Sequence, residues 1–327
     1  MLLRRRRRLD ELGMEETMQR LLVADDASPY AETVLQDLSY AGLSAELEVL
    51  VVTVADVWLP INTAGPQPVT PPVPPSPAIR KAREQALEAV RSAQAQADGA
   101  AERLRTLFPK WNTSGWACAD SPAWGILTKA AEWKADLILV GSHGRSALER
   151  LFLGSVSQKV VAEAVCSVRI ARPRPHPQLN RLRIVTAIDG SPDSLGAVRA
   201  VAGRAWPASA EFKLVAVMDP RLETALAWPD IYGADWVLEQ DQAVRDAVGR
   251  MTEESAGVLR AARLKVDTQI LHGDPKQELL RYAQSWEADA IFLGARGRQH
   301  GGRLALGTMA SAVTARAHCS VEVVRVG

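Results

Sequence analysis

The sequence predicts an α/β protein built as two doubly wound parallel-sheet domains in tandem, and three observations carry that prediction. Gly141-Ser142-His143-Gly144, nine residues, then Gly154-Ser155 recurs as Gly294-Ala295-Arg296-Gly297, nine residues, then Gly307-Thr308. Each pattern follows a short apolar run, Leu137 to Val140 or Ala290 to Leu293, that reads as a buried strand. Apolar strand-like runs alternate with helical periodicities through both halves, which is the signature of a parallel sheet with helices on its faces.

The duplication extends beyond the glycines. At the same separation of 153 residues, Trp133 matches Trp286, Asp136 matches Asp289, Pro122 matches Pro275, and Cys166-Ser167-Val168 matches Cys319-Ser320-Val321. Nearer the front, Asp26-Ala27-Ser28-Pro29 matches Asp189-Gly190-Ser191-Pro192 and Val54 matches Val217, now 163 residues apart. The first copy therefore holds about ten extra residues in its middle, and each unit is far too long for a solenoid repeat.

The elements follow in order. Arg20 to Ala24 is a strand, and Ser28-Pro29 opens a helix towards Tyr40, serine as N-cap and proline in the first turn. Glu48 to Val54 is a second strand, whose consecutive Val and Leu residues suit burial on both faces. Pro60 to Pro77 is proline-rich and reads as an extended surface loop. From Ile79 onward Ala82, Ala86, Val90, Ala93, Ala97, Leu104 and Phe108 recur at helical spacing. A strand at Asn112 to Ala117, a helix from Pro122, the strand into Gly141, a helix over Gly154 to Val165 and a last strand at Val168 to Ala171 complete the copy. Arg172 to Gln178, with Pro173, Pro175 and Pro177, is the linker, and the second copy starts near Leu182.

These readings divide the chain into a basic extension at 1–17, domains at 18–173 and 181–327, and a proline-rich joint at 174–180. The five arginines Arg4 to Arg8 read as a solvated tail, and Met18 is an alternative start. A formal charge of +1 with 24% charged residues sets up no global field for nucleic acid or membrane. Three cysteines, two of them repeat equivalents at the starts of strands, fit a reducing cytoplasm better than a disulfide framework. No apolar stretch reaches membrane-spanning length, and Met1 to Arg20 lacks an apolar signal core, so the expectation is a soluble, cytoplasmic protein.

Glycines directly after a parallel strand suit a phosphate cradle, where backbone N–H groups must approach an anion closely. In an open parallel sheet such a ligand lies beyond the strand ends, where the strand order reverses. Asp26 and Gly141, both at strand ends, can converge there. Other chemistry finds less support. His143 and His300 have no partners at metal spacing, and Asp25 and Asp26 point in opposite directions. Trp133 and Trp286 read as core anchors. There is no Walker A lysine, no G-x-S-x-G and no G-x-G-x-x-G.

Both copies resemble universal stress protein domains, whose ATP-binding members carry G-x2-G-x9-G-[S/T] after the fourth strand. The resemblance covers the chain from about Met18 to Gly327. It implies a Rossmann-like fold of the adenine nucleotide alpha hydrolase type and an internal pseudo-dimer paired through the last strands, Val168 to Ala171 and Val321 to Val326. It implies Asp26 at the adenosine and Val54 at the adenine. Gly141, Ser142, His143, Gly144, Arg145, Gly154, Ser155, Val156 and Ser157 would then hold ribose and phosphates. The equivalent set is Asp189, Val217, Gly294, Gly297, Gly307 and Thr308, with Arg296 and Arg298 as phosphate partners. The implied ligand is ATP, or AMP or ADP, with Mg2+ as an optional companion. The implied role is a nucleotide-dependent stress-response protein that acts on an unidentified protein partner, without obligatory catalysis. Assembly as a homodimer stays open, as do two rival functions: a scaffold without nucleotide, and a slow ATPase or phosphotransferase.

Overall fold

A computed structural model of the chain describes residues 19–26, 31–57, 76–142, 153–174, 181–219, 234–297 and 306–326. The first half runs β1 (Arg20–Ala24), α1 (Ala31–Tyr40), β2 (Glu48–Ala55), α2 (Pro77–Leu107), β3 (Asn112–Ala119), α3 (Pro122–Trp133), β4 (Leu137–Gly141), α4 (Ser155–Glu163) and β5 (Ser167–Ala171). The second repeats the order as β6 (Leu182–Ile188), α5 (Pro192–Gly203), β7 (Ala210–Met218), α6 (Ala234–Ala261), β8 (Val266–His272), α7 (Pro275–Ser285), β9 (Ala290–Gly294), α8 (Thr308–Arg316) and β10 (Ser320–Val324).

Local chemistry accounts for the helix starts. Pro77, Pro122, Pro192 and Pro275 each stand in a first turn, where the missing N–H costs nothing. Ser76, Ser191 and Asp274 accept hydrogen bonds from first-turn N–H groups of their helices. Pro77 thus begins α2 instead of ending the proline-rich loop, because Ser76 supplies the cap. Residues 60–75 of that loop lie outside the described residues.

All ten described strands join one sheet in the order β3-β2-β1-β4-β5-β10-β9-β6-β7-β8. The pairs are parallel except β5 with β10, which run antiparallel with Val168 opposite Val323, Arg169 opposite Glu322 and Ile170 opposite Val321. The expected internal pseudo-dimer is therefore present, and it removes two open sheet edges. Register repeats with the sequence. Arg20 faces Glu48 as Arg183 faces Glu211, and Leu137 faces Ser167 as Ala290 faces Ser320. Asp136 and Asp289 hold that register in the two halves. Asp136 accepts from the N–H groups of Gln19 and Arg20, and Asp289 from that of Arg183, each at 2.8 Å.

On the sheet face covered by α3, α4, α7 and α8, one apolar core runs through both halves, from Leu22 and Val52 to Leu293 and Val323. Trp133 and Trp286 pack against it with Arg20 and Arg183 over their rings. The other face carries two separate apolar clusters, one around Leu21, Val49 and Leu104 and one around Ile184, Leu214 and Leu259. The segment read as a linker is in part interface. Arg172 is buried against Cys319 and Thr314, and Arg174 reaches Asp289 at 2.7 Å.

Candidate functional site

Strand order reverses between β1 and β4 in the first half and between β6 and β9 in the second, and Asp26, Gly141, Asp189 and Gly294 stand at those strand ends. Asp26 follows β1, half-buried, beside Asp25, whose N–H donates to Val52 O at 2.9 Å. Gly141 ends β4. Both glycine loops are closed by the same bonds. Ser142 N–H donates to Ala171 O and Gly154 N–H to Ser142 O, at 3.1 and 2.9 Å; Ala295 N–H donates to Val324 O and Gly307 N–H to Ala295 O, at 2.8 and 2.7 Å. The chain leaves the sheet and returns to the same point, where the next helix starts.

Gly154 and Gly307 are the N-caps of α4 and α8, and among the described residues neither helix has a side-chain cap on its first-turn N–H groups. Ser155 and Thr308, the first helical residues, are exposed, and Val156 is half-buried. These N–H groups and the positive end of the helix dipole suit an anion. Ser157, placed among the binding residues, is buried, and its hydroxyl donates to Gly141 O at 2.6 Å; it braces the loop from inside. Ser142 is likewise buried.

The glycines act by space. Gly154 and Gly307 have φ of −59° and −65°, open to any residue, but a Cβ on Gly307 would lie 3.0 Å from Ala295 O. A Cβ on Gly294 would lie 2.6 Å from Ser194 N, so this glycine lets the start of α5 pass. One on Gly297 would lie 2.9 Å from Asp189 Oδ2, which places that carboxylate against the loop. Ser191 Oγ donates to Arg296 O at 3.0 Å, tying the two strand-end loops of the second half together. Val54 and Val217 are half-buried near the ends of β2 and β7, and Val54 packs under Gly125 of α3. His143, Gly144, Arg145 and Arg298 lie outside the described residues.

Arg296, expected at the phosphates, is otherwise engaged. Its Nε and Nη2 grip Asp193 at 2.7 and 2.8 Å, its N–H donates to the same carboxylate at 3.1 Å, and Nη2 also reaches Val326 O at 3.0 Å. Val326 N–H donates to Asp193 as well. Burial alone would raise the Asp193 pKa, yet the bonds from Arg296 and Val326 outweigh it and leave the carboxyl below its ordinary value. Sequence reasoning missed this clasp, although a signal existed: an acid in the first turn of α5, where the other copy has Tyr30. Among the described residues no group of three His, Cys, Asp or Glu side chains could hold a metal. Burial, first of all, pushes the Cys118 thiol up to about 11 and those of Cys166 and Cys319 to about 12.

The sequence pattern of the Universal stress protein family matches residues 17–172 and again 180–325. The chain is 31% identical over 147 residues to Universal stress protein MJ0531 of Methanocaldococcus jannaschii, covering 44% of this chain and 81% of that one. It is 28% identical over 201 residues to Universal stress protein Rv2005c of Mycobacterium tuberculosis, covering 59% and 62%. Among solved structures, a universal stress protein from Archaeoglobus fulgidus superposes with a TM-score of 0.50 at 19% identity, over 94% of this chain and 96% of that one. The functionally unknown protein PA1789 from Pseudomonas aeruginosa superposes at 0.56 and 14%, over 95% and 94%, and both likenesses speak to fold. Two family matches in one chain, on two copies of one sheet topology, make this protein a member of the universal stress protein family with tandem domains.

Proposed function

We propose that the chain binds adenine nucleotide, ATP first among them, at the β1/β4 crevice of the first domain and at the β6/β9 crevice of the second. The observation that carries this reading is the shared loop closure, Gly154 to Ser142 and Gly307 to Ala295, which sets an N-terminus without a side-chain cap at each switch point. Asp26 and Asp189 stand where a nucleoside would enter, and the N–H groups from Ser155 and Thr308 onward would receive phosphates. An Mg2+ ion would arrive on the phosphates, whose oxygens are its natural ligands. The nucleotide serves as a regulatory ligand that alters the surface offered to a protein partner, and turnover is not required.

The clasp on Arg296 favours a second reading for the second domain alone. There Gly294 is explained by the passage of α5 and Arg296 by Asp193, so that site would be a scaffold kept for its shape. One experiment tests both. The native protein is denatured, released nucleotide is counted per chain, and ATP is titrated by calorimetry in parallel. Two per chain supports both sites, and one per chain that disappears in Gly154→Val assigns binding to the first domain. No nucleotide and no heat would overturn the reading, and steady phosphate release during the titration would revive the ATPase.

A further inference from the structure

Strands β5 and β10 meet about a pseudo-twofold axis that passes between Arg169 and Glu322, which occupy the same position in the two copies. Much of the interface obeys that symmetry. Arg172 donates its backbone N–H to Ser320 Oγ at 3.0 Å and Nη2 to Thr314 O at 2.5 Å. Its counterpart Arg325 donates its N–H to Ser167 Oγ at 3.2 Å and Nη2 to Val161 O at 2.9 Å. Both arginines thus hold the C-terminal turn of a helix in the other domain, where a cation is favoured.

Four buried charges break the symmetry. Arg169 grips Asp37 of α1 through Nε and Nη2 at 2.5 and 2.8 Å, and its Nη1 reaches Glu322 at 3.4 Å. Glu322 in turn accepts from Arg204, which follows α5 and donates to Ala41 O at 2.6 Å. Arg169 and Glu322 are 1% exposed, Asp37 and Arg204 6%. The ring of Phe292 lies beneath both guanidinium groups. None of these residues is matched in kind by its repeat equivalent: Arg169 answers to Glu322, Asp37 to Ala200, Arg204 to Ala41, and Phe292 to Leu139.

A buried ion network adds little stability over apolar side chains of the same volume, but a mismatch within it is costly. The quartet is therefore better suited to choosing a partner than to strengthening the fold. It lies between the two apolar clusters of one sheet face. On the opposite face, Val168, Ile170, Val321 and Val323 share one apolar core that carries no such distinction.

We propose that the Asp37, Arg169, Glu322 and Arg204 quartet is a pairing code that makes the β5 edge of the first domain accept the β10 edge of the second and reject a second copy of itself. Two first domains would bury Arg169 against Arg169, and two second domains Glu322 against Glu322. Each chain thereby keeps its two glycine-loop domains as one oriented pair. A second chain has to dock elsewhere, and the outer strands β3 and β8 are the sheet edges that pairing leaves over.

The test uses full-length chains carrying Arg169→Glu, Glu322→Arg, or reversal of all four charges, followed by urea unfolding and native mass spectrometry. Each single variant should unfold at lower urea and lose the single-chain species. Co-refolded in equal amounts, the two should form a two-chain complex in which opposite charges again face each other at both axes. Reversal of the whole quartet in one chain, with Asp37→Lys and Arg204→Glu added so that no like charges meet, should restore the single-chain species and much of the midpoint. Single variants that stay single-chain with the parental midpoint would overturn the proposal. So would a whole-quartet reversal no better than either single variant, because the sign of the charges would then not matter.

Discussion

The two domains lay out the same strands in the same register and close their glycine loops with the same bonds, yet they carry different side chains beside those loops. The second domain clasps Arg296 to Asp193 beside its loop, and the equivalent positions in the first are His143 and Tyr30. The lesson is that a duplicated backbone frame is held by main-chain bonds, which do not depend on side-chain identity. The chemistry mounted on the frame is free to diverge.

The largest effect expected on this comparison comes from breaking the joint between the domains. Arg169→Ala leaves Asp37 and Glu322 buried without their shared cation and should cost about 3–5 kcal/mol in urea unfolding. Arg172→Ala and Arg325→Ala, being pseudo-symmetric, should each cost less and nearly the same as each other.

Next in size is the contrast between the sites. Gly154→Val should weaken ATP binding by about 100-fold in calorimetry, through crowding of the N–H groups that would face the phosphates. Gly307→Val should lower the number of nucleotides per chain only if the second site also binds.

The clasp offers a pH test. Because the Asp193 pKa is depressed in the folded protein, its contribution is complete above the unfolded value of about 3.9 and is lost as pH falls through the lower folded value. Asp193→Asn should therefore cost about 2 kcal/mol at pH 7, and the gap from the parent should close as the pH falls below 3.9 and through the folded value. A gap that persists at low pH would assign the loss to packing.

Smaller still, Asp136→Ala and Asp289→Ala should each cost about 1–3 kcal/mol, with Asp289 the larger because it also binds Arg174. Equal values would mean that Arg174 contributes nothing to the joint. Last, at pH 8 a thiol reagent should modify Cys118 slowly and Cys319 only after denaturant is added, since burial keeps both protonated.

Much of this was legible in the sequence. Apolar runs bounded by polar residues located most strands of the first half and β9 and β10, because burial on both faces of a parallel sheet demands them, whereas β7 and β8 followed only from the repeated order. The repeat distance placed the loops and the switch points. Pro77 was read as loop because a proline-rich run hides the one proline that starts a helix. Ser157 was read as a binding group because a hydroxyl in the first turn after the glycine does not reveal which way it points. The quartet had a visible trace, a charge of opposite sign at one place in two apolar strands, but partners as distant as Asp37 and Arg204 cannot be assigned from spacing.

The sequence by itself determined the duplication, the alternation of strands and helices, and the position of each glycine loop, since these rest on local periodicity and on where side chains must be small. Only the tertiary structure decided that Gly294, Gly297 and Gly307 make room for protein, that Arg296 is held by Asp193, and that the interface carries an asymmetric buried charge network. The clasp and the charge network each depend on contacts between residues more than a hundred positions apart, and such contacts are fixed by strand order and by the exclusion of water from the joint.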